Sequence, residues 1–312
     1  MRVALSLAIV GLSGLAASAP SFPLPFRRAL SVQTPALTGS DVATLQALLA
    51  ARAGCAAPPP QTFAFDAATS ACLASFQQSQ GVGAQAGVLD PATAQAVLTV
   101  LGLDSYKDDG RAPRETGHLY KVHIILPSSN RSVEATARLL DADGAEIFNF
   151  TARLHGASVL PPPAWPNYNS SGSGMNEFTG DGATPTGLAE FDLNSPESDP
   201  LSFGPYPVNR AVSGLAGNWQ LVSRNDDTTL RSGILLHTGE WPAPWAPPQP
   251  MPNSLGCIHA WPASIERVWH ELVARGVEVR NNTNGVLPYP YKSQGLLSIE
   301  CVGDDCIVQP PK

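Results

Sequence analysis

The apolar spacing of this chain changes character once, across residues 104–116, and that change constrains what it can fold into. Before it, apolar residues recur at helical intervals. Val42, Leu45, Leu48 and Leu49 fall on one face after Thr38-Gly39-Ser40-Asp41. Cys72, Leu73 and Phe76 form the inner face of a second helix over Ala67 to Gln80. A third helix opens at Asp90-Pro91, an N-cap followed by a first-turn proline, and places Ala94, Val97, Leu98 and Leu101 inward. After the change the apolar runs are short and rich in β-branched residues. Strands are expected at Leu119 to Leu126, Ala135 to Leu140, Ala145 to Leu154, Gly187 to Leu193, Trp219 to Ser223, Ser232 to His237, Val277 to Arg280 and Leu296 to Val302. One strong helix interrupts them, Ala263 to Arg275, opened by Pro262 and closed by Gly276. The expected fold is α+β and multidomain. A small three-helix bundle spans 37–103. A linker at 104–116, with Asp108, Asp109, Gly110 and Pro113, leads to a β-rich, mixed-sheet domain with one main helix over 117–312.

The 312 residues suffice for two modest domains, and at 43% hydrophobic and 14% charged the chain can build cores. A net charge of −7 argues against a nucleic-acid or anionic-membrane partner, which calls for a basic surface. Residues 1–19 read as a signal peptide. Arg2 is the basic start, Ala4 to Leu15 the apolar stretch, and Ala17-Ser18-Ala19 a small-residue cleavage site. Residues 20–36 read as a linker. The mature protein is then expected to be secreted, extracellular or in a cell wall, with no membrane span. No zinc spacing, Gly-rich phosphate loop or internal repeat occurs.

Export places the five cysteines in an oxidising setting. Cys55 and Cys72 share the helical region, and Cys301 and Cys306 flank Val-Gly-Asp-Asp. Those local pairings leave Cys257 over, which flags a reactive thiol; other connectivities stay open. Four sequons, at Asn130, Asn149, Asn169 and Asn281, are glycan acceptors in a eukaryotic secretory pathway.

Cys257 lies in Ser254-Leu255-Gly256-Cys257-Ile258-His259, and His237 ends the apolar run Gly233-Ile234-Leu235-Leu236. A cysteine on a small-residue turn with a histidine in reach is the minimum kit for thiol acyl transfer. Gly256 permits a tight turn, and the backbone N–H groups of Gly256 and Cys257 are candidates for an oxyanion hole. A lone cysteine or histidine is otherwise more often an inert core group. Between the two residues, Trp241 to Pro252 holds Trp241, Trp245 and six prolines. Two readings compete for it: a stiff cleft wall whose indoles pack on sugar rings, or a surface loop of polyproline type.

Two resemblances follow from these residues. Val42-Ala43-Thr44-Leu45-Gln46, Phe76-Gln77 with Gly81, and Gly87-Val88-Leu89-Asp90 with Thr93 resemble the three-helix peptidoglycan-binding domain family. His237, the Ser254 to His259 motif, the helix Ala263 to Arg275 and the following Val277-Glu278-Val279 resemble the L,D-transpeptidase catalytic domain of the YkuD type. Gly182-Ala183-Thr184-Pro185-Thr186-Gly187 also matches that family, as a structural turn. The resemblance implies Cys257 as nucleophile, His237 as its base, and the Thr238 carbonyl in the place of a triad carboxylate. The substrate implied is a peptidoglycan stem peptide, with Ser254, His259 and Trp241 as binding candidates, the acyl group passing to an amine or water and no metal or organic cofactor needed. Two positions depart from the pattern. Leu255 stands where the family has histidine, and His259 where it has arginine or asparagine. His259 is then either an anion contact or second imidazole, or a surface residue beside Trp261. A non-catalytic wall-binding protein on the same scaffold is the alternative that Leu255 favours.

Overall fold

The computed structural model describes residues 21–129, 131, 133–155, 176–240, 245–283 and 285–306. The signal-peptide residues, the sequons at Asn130 and Asn169, and Trp241 lie outside them. The other two sequon asparagines, Asn149 and Asn281, are exposed.

Three helices form first: α1 (Ser40–Arg52), α2 (Ala67–Gln80) and α3 (Pro91–Ala96), the last running on as a π turn over Val97–Leu101. Their ends follow from capping chemistry. The carboxylates of Asp66 and Asp90 accept from the backbone N–H of Thr69 and Thr93, each at 2.7 Å. Gly81, at φ 62°, terminates α2 in the left-handed conformation. Leu45, Leu48, Leu49, Leu73 and Val97 make a dry core, to which the Cys55–Cys72 disulfide is adjacent. The segment 20–36, expected as a linker, gives two described residues to this core instead. Phe26 and Leu30 are fully buried, and Leu30 bridges to Leu89. Two apolar side chains are enough to dock a short segment against a bundle that is small for an independent core.

Two buried glutamines knit the module. Gln46 Oε1 accepts from the N–H of Thr62 and Phe63, while its Nε2 donates to Ala64 O and Thr69 Oγ1. Gln77 accepts from Gly87 N at 2.7 Å and donates to Val88 O and Thr93 Oγ1. Both amides are consumed internally, so these motif residues act on loop geometry rather than on a ligand.

The second region is a closed eight-stranded barrel. Its strands are β1 (Tyr120–Leu126), β2 (Ala135–Asp141), β3 (Glu146–Leu154), β4 (Gly187–Asn194), β5 (Val208–Ala216), β6 (Leu235–His237), β7 (Ile258–Ala260) and β8 (Gly295–Cys301). Around the barrel they run β1-β2-β3-β7-β6-β5-β4-β8. The β1–β8 and β6–β7 pairs are parallel and the rest antiparallel, so the sheet is mixed. Helices α4 (Pro200–Phe203) and α5 (Gly217–Val222) are short, and α6 (Pro262–Ala274) is the main helix. The Cys301–Cys306 disulfide follows β8, and Cys257 is free.

Two strand expectations need correction. Of Trp219 to Ser223, all but the capping Ser223 is helical, because Gly217 at φ 66° turns the chain out of β5 and the Trp219 N–H caps onto Thr186 O. Val277 to Arg280 makes only a bridge between Asn194 and Arg280. Strands β5 and β7 are additions; β7 is too short at three residues to show a period, and β5 is masked by its polar residues. Asn209 and Arg210 are buried within β5, so it shows no apolar alternation.

Residues 104–116 are an ordered strap on the barrel. Tyr106 Oη meets Ser298 Oγ at 3.0 Å, and Asp108 pairs with buried Lys121 at 2.9 Å. Asp104 joins the two regions. Its carboxylate accepts from Thr186 Oγ1 and Asn218 N, each at 2.8 Å, and faces Arg52 at 3.5 Å. Phe178, Leu221 and Val222 from the barrel region complete the helical core beside it. Asp104→Ala takes the acceptor from the Asn218 N–H and one partner each from Thr186, which keeps Glu177, and Arg52, which keeps the Leu101 and Leu103 carbonyls, and is expected to cost about 2 kcal/mol. Urea unfolding of the variant checks this. A loss below about 0.5 kcal/mol would mean the two regions are held by apolar contact alone.

Candidate active site

The site is built where two three-residue strands meet. Parallel pairing of β6 with β7 sets Leu236 against Ile258 and His237 against His259. Cys257, one residue before β7, is thereby drawn to β6. The Leu235 N–H points at its sulfur (3.4 Å), and the thiol donates to Gly233 O (3.7 Å). Cys257 and His237 share no hydrogen bond in this arrangement, although both line one cleft of about 400 Å³ with His259, Ser254, Leu255 and Trp245.

The turn before Cys257 is held on every side. Gly256 has φ +128°, and a Cβ there would sit 2.3 Å from Arg231 Nη2. The Gly256 carbonyl accepts from Thr184 Oγ1 at 2.9 Å, and Thr184 in turn accepts from the His155 N–H at 2.9 Å. Arg231 crosses behind, donating to Ala183 O at 2.7 Å and Gly182 O at 3.1 Å. The Thr184-Pro185-Thr186-Gly187 turn is thus a brace for the backbone that carries Cys257. Ser254 Oγ accepts from Gly256 N at 3.1 Å and donates to Cys257 O at 2.7 Å. This corrects two expectations. The Gly256 N–H is already engaged and is no oxyanion donor, and the Ser254 hydroxyl serves the turn rather than a substrate.

His237 Nδ1 lies 2.6 Å from Thr238 O. A carbonyl only accepts, so Nδ1 carries the proton and Nε2 the lone pair, the tautomer a base requires. His259 is held the same way by Pro252 O at 2.7 Å. It is buried, not a surface residue beside Trp261, and meets His237 edge-on with ring centroids 4.7 Å apart. Trp245 packs on His259 at 4.5 Å and Phe203 on His237 at 5.1 Å. Trp245 is therefore cleft wall. Leu255, where a histidine was expected, is 47% exposed at the rim.

Burial dominates the electrostatics. It pushes the Cys257 thiol up to about 11, against the Leu235 N–H and the charges of Arg210 and Arg231, which favour thiolate. It lowers His237 to about 4, against the Thr238 carbonyl, which favours the protonated ring. His259 falls well below the usual histidine range through burial and the proximity of His237. The resting site is a neutral thiol beside two neutral imidazoles. Arg231 and Arg210 are the residues that sequence reasoning missed. Each is one arginine in a polar run, and only the fold reveals that they are buried within electrostatic reach of the sulfur.

His237 binds a proton less readily folded than unfolded, so below about pH 6.5 the unfolded chain takes up the proton first. Its contribution to stability is then complete above pH 6.5 and lost as pH falls toward 4. The melting temperature is expected to drop across that window, and less steeply in His237→Gln. Identical slopes in the two proteins would contradict a buried neutral His237.

Among the described residues no group of three or more His, Cys, Asp or Glu side chains could hold a metal, and no helix is long and apolar enough to cross a membrane. No curated protein and no solved structure is significantly similar to the chain. Residues 38–97, from just before α1 to the first residue of the π turn, match the family described as putative peptidoglycan binding domain.

Proposed function

We propose that this protein is a peptidoglycan-acting cysteine acyltransferase of the L,D-transpeptidase kind, whose helical module holds the wall polymer for Cys257. The family match at 38–97 supports peptidoglycan as partner, and with the two disulfides it supports a cell-wall or extracellular location. The observation that favours catalysis is the placement of Cys257 and a tautomer-fixed His237 in one cleft.

Both groups are neutral at rest, so proton transfer accompanies attack. The thiol leaves the Gly233 carbonyl and gives its proton to His237 Nε2 as sulfur bonds to the stem-peptide carbonyl carbon. The scissile C–N bond breaks, and His237 returns the proton to the departing amine. The thioester is then opened by an acceptor amine or by water, which gives its proton to His237; the leaving Cys257 sulfur takes it back. Arg231 and Arg210 favour the anionic character that develops on sulfur. The second reading is wall binding without turnover. Leu255 at the rim, which can neither donate nor accept a hydrogen bond, is the observation in its favour.

The test is turnover of tetrapeptide-bearing muropeptides by the whole protein. Cys257→Ala is expected to lower it at least ~1000-fold and His237→Gln about 100-fold or more. Equal turnover by wild type and Cys257→Ala rejects the acyltransferase reading, and absence of turnover in all three with retained binding leaves the wall-binding one.

A further inference from the structure

A second cavity, of about 700 Å³, opens at the seam between the helical module and the barrel region. Its module side is formed by Gly39, Asp41 and Thr44 at the start of α1, within the stretch that matches the peptidoglycan-binding family. Its barrel side is formed by Gly180 and Asp181, and these same two residues line the Cys257 cleft. The two cavities therefore share a wall at Gly180-Asp181. The barrel side of that junction is fixed, because the Asp181 carbonyl lies 3.0 Å from His155 Nε2. The seam itself is fixed too, since Asn176 Nδ2 donates to Leu24 O at 2.6 Å.

The charges at the seam are unequally committed. Arg28 is spent on Asp41 (2.9 Å) and on Thr38 O (2.7 Å), and Asp41 also accepts from the Val42 N–H at the start of α1. Arg27 is exposed on the cavity wall and makes no hydrogen bond or ion pair among the described residues. A guanidinium so placed matches a carboxylate with two parallel hydrogen bonds. The volume lies within the range of ligand sites, and the lining is polar enough for sugar hydroxyls and peptide amides.

We propose that this seam cavity is a subsite for a peptidoglycan fragment, with Arg27 receiving a carboxylate of the fragment and Gly180-Asp181 passing the chain into the Cys257 cleft. The module then delivers the fragment it holds to the thiol along one continuous surface. The inference rests on peptidoglycan as ligand, and it is tested by binding so that it stands apart from turnover.

The experiment is calorimetric titration of the Cys257→Ala protein, whole chain, with a disaccharide-tetrapeptide. Adding Arg27→Glu is expected to weaken binding about tenfold or more, from lost pairing and new like-charge repulsion. Adding Gly180→Trp is expected to do the same by plugging the junction. A Cβ at 180 meets no atom within 4 Å, so a side chain can start from this backbone without a clash. Its melting temperature, matched to the parent, excludes misfolding. Arg224→Glu, the same charge reversal at an exposed arginine outside both cavities, is expected to stay within twofold. Binding within twofold of the parent in both Arg27→Glu and Gly180→Trp overturns the proposal, as does an equal loss in Arg224→Glu. No binding by the parent overturns it together with the wall-binding reading. Turnover that does not depend on Cys257 rejects acyl transfer while leaving this subsite standing.

Discussion

The parallel contact of β6 with β7 is the constraint on which the site depends. Those two strands span only three residues each, yet they close the barrel between β3 and β5. Their register sets His237 against His259, brings the Cys257 sulfur to the Leu235 N–H, and leaves both polar side chains at one cleft. A slip of one residue would send each side chain to the opposite face of the sheet. With so few ladder bonds, the register is fixed from outside. Thr184 and Arg231 hold the Gly256 turn, and Thr238 and Pro252 hold the two imidazoles.

Burial and charge act against each other here. Burial disfavours thiolate and imidazolium alike, and it keeps the resting pair neutral. The same lowered polarity strengthens the influence of Arg231 and Arg210 on any negative charge that forms on sulfur. In the proposed acyl transfer, such a pair becomes polarised as a substrate carbonyl arrives. The rim residue Leu255 adds no hydrogen bond to that process, so its burden falls on buried groups.

Where local chemistry decides structure, the sequence was transparent. Helix α2 runs over Ala67–Gln80 as its Asp66 cap and Gly81 terminator demand, and α6 follows its apolar face. The cysteine arithmetic left Cys257 unpaired, as the structure has it. Tertiary packing hid the rest. Phe26 and Leu30 lie in a Pro- and Ser-containing stretch, and only docking on Leu89 makes them core. Strand β5 was unreadable because barrel closure buries its polar residues as well as its apolar ones. Within the site, Cys257, His237 and Gly256 could be named from the motif. The roles of Ser254 and the Gly256 N–H could not, since a serine two residues from a glycine reads equally as ligand contact or turn clamp.

In the proposed function, peptidoglycan is the ligand that both halves of the chain serve. The helical region has the family match, and the barrel region has the thiol, with Asp104 and a shared core between them. The most direct test of acyl transfer at this thiol is intact-protein mass spectrometry after brief exposure to a disaccharide-tetrapeptide, with peptide mapping of any adduct. The account predicts one acyl group on Cys257, released by hydroxylamine as a thioester is. An adduct on another residue, or one that persists in Cys257→Ala, would contradict it.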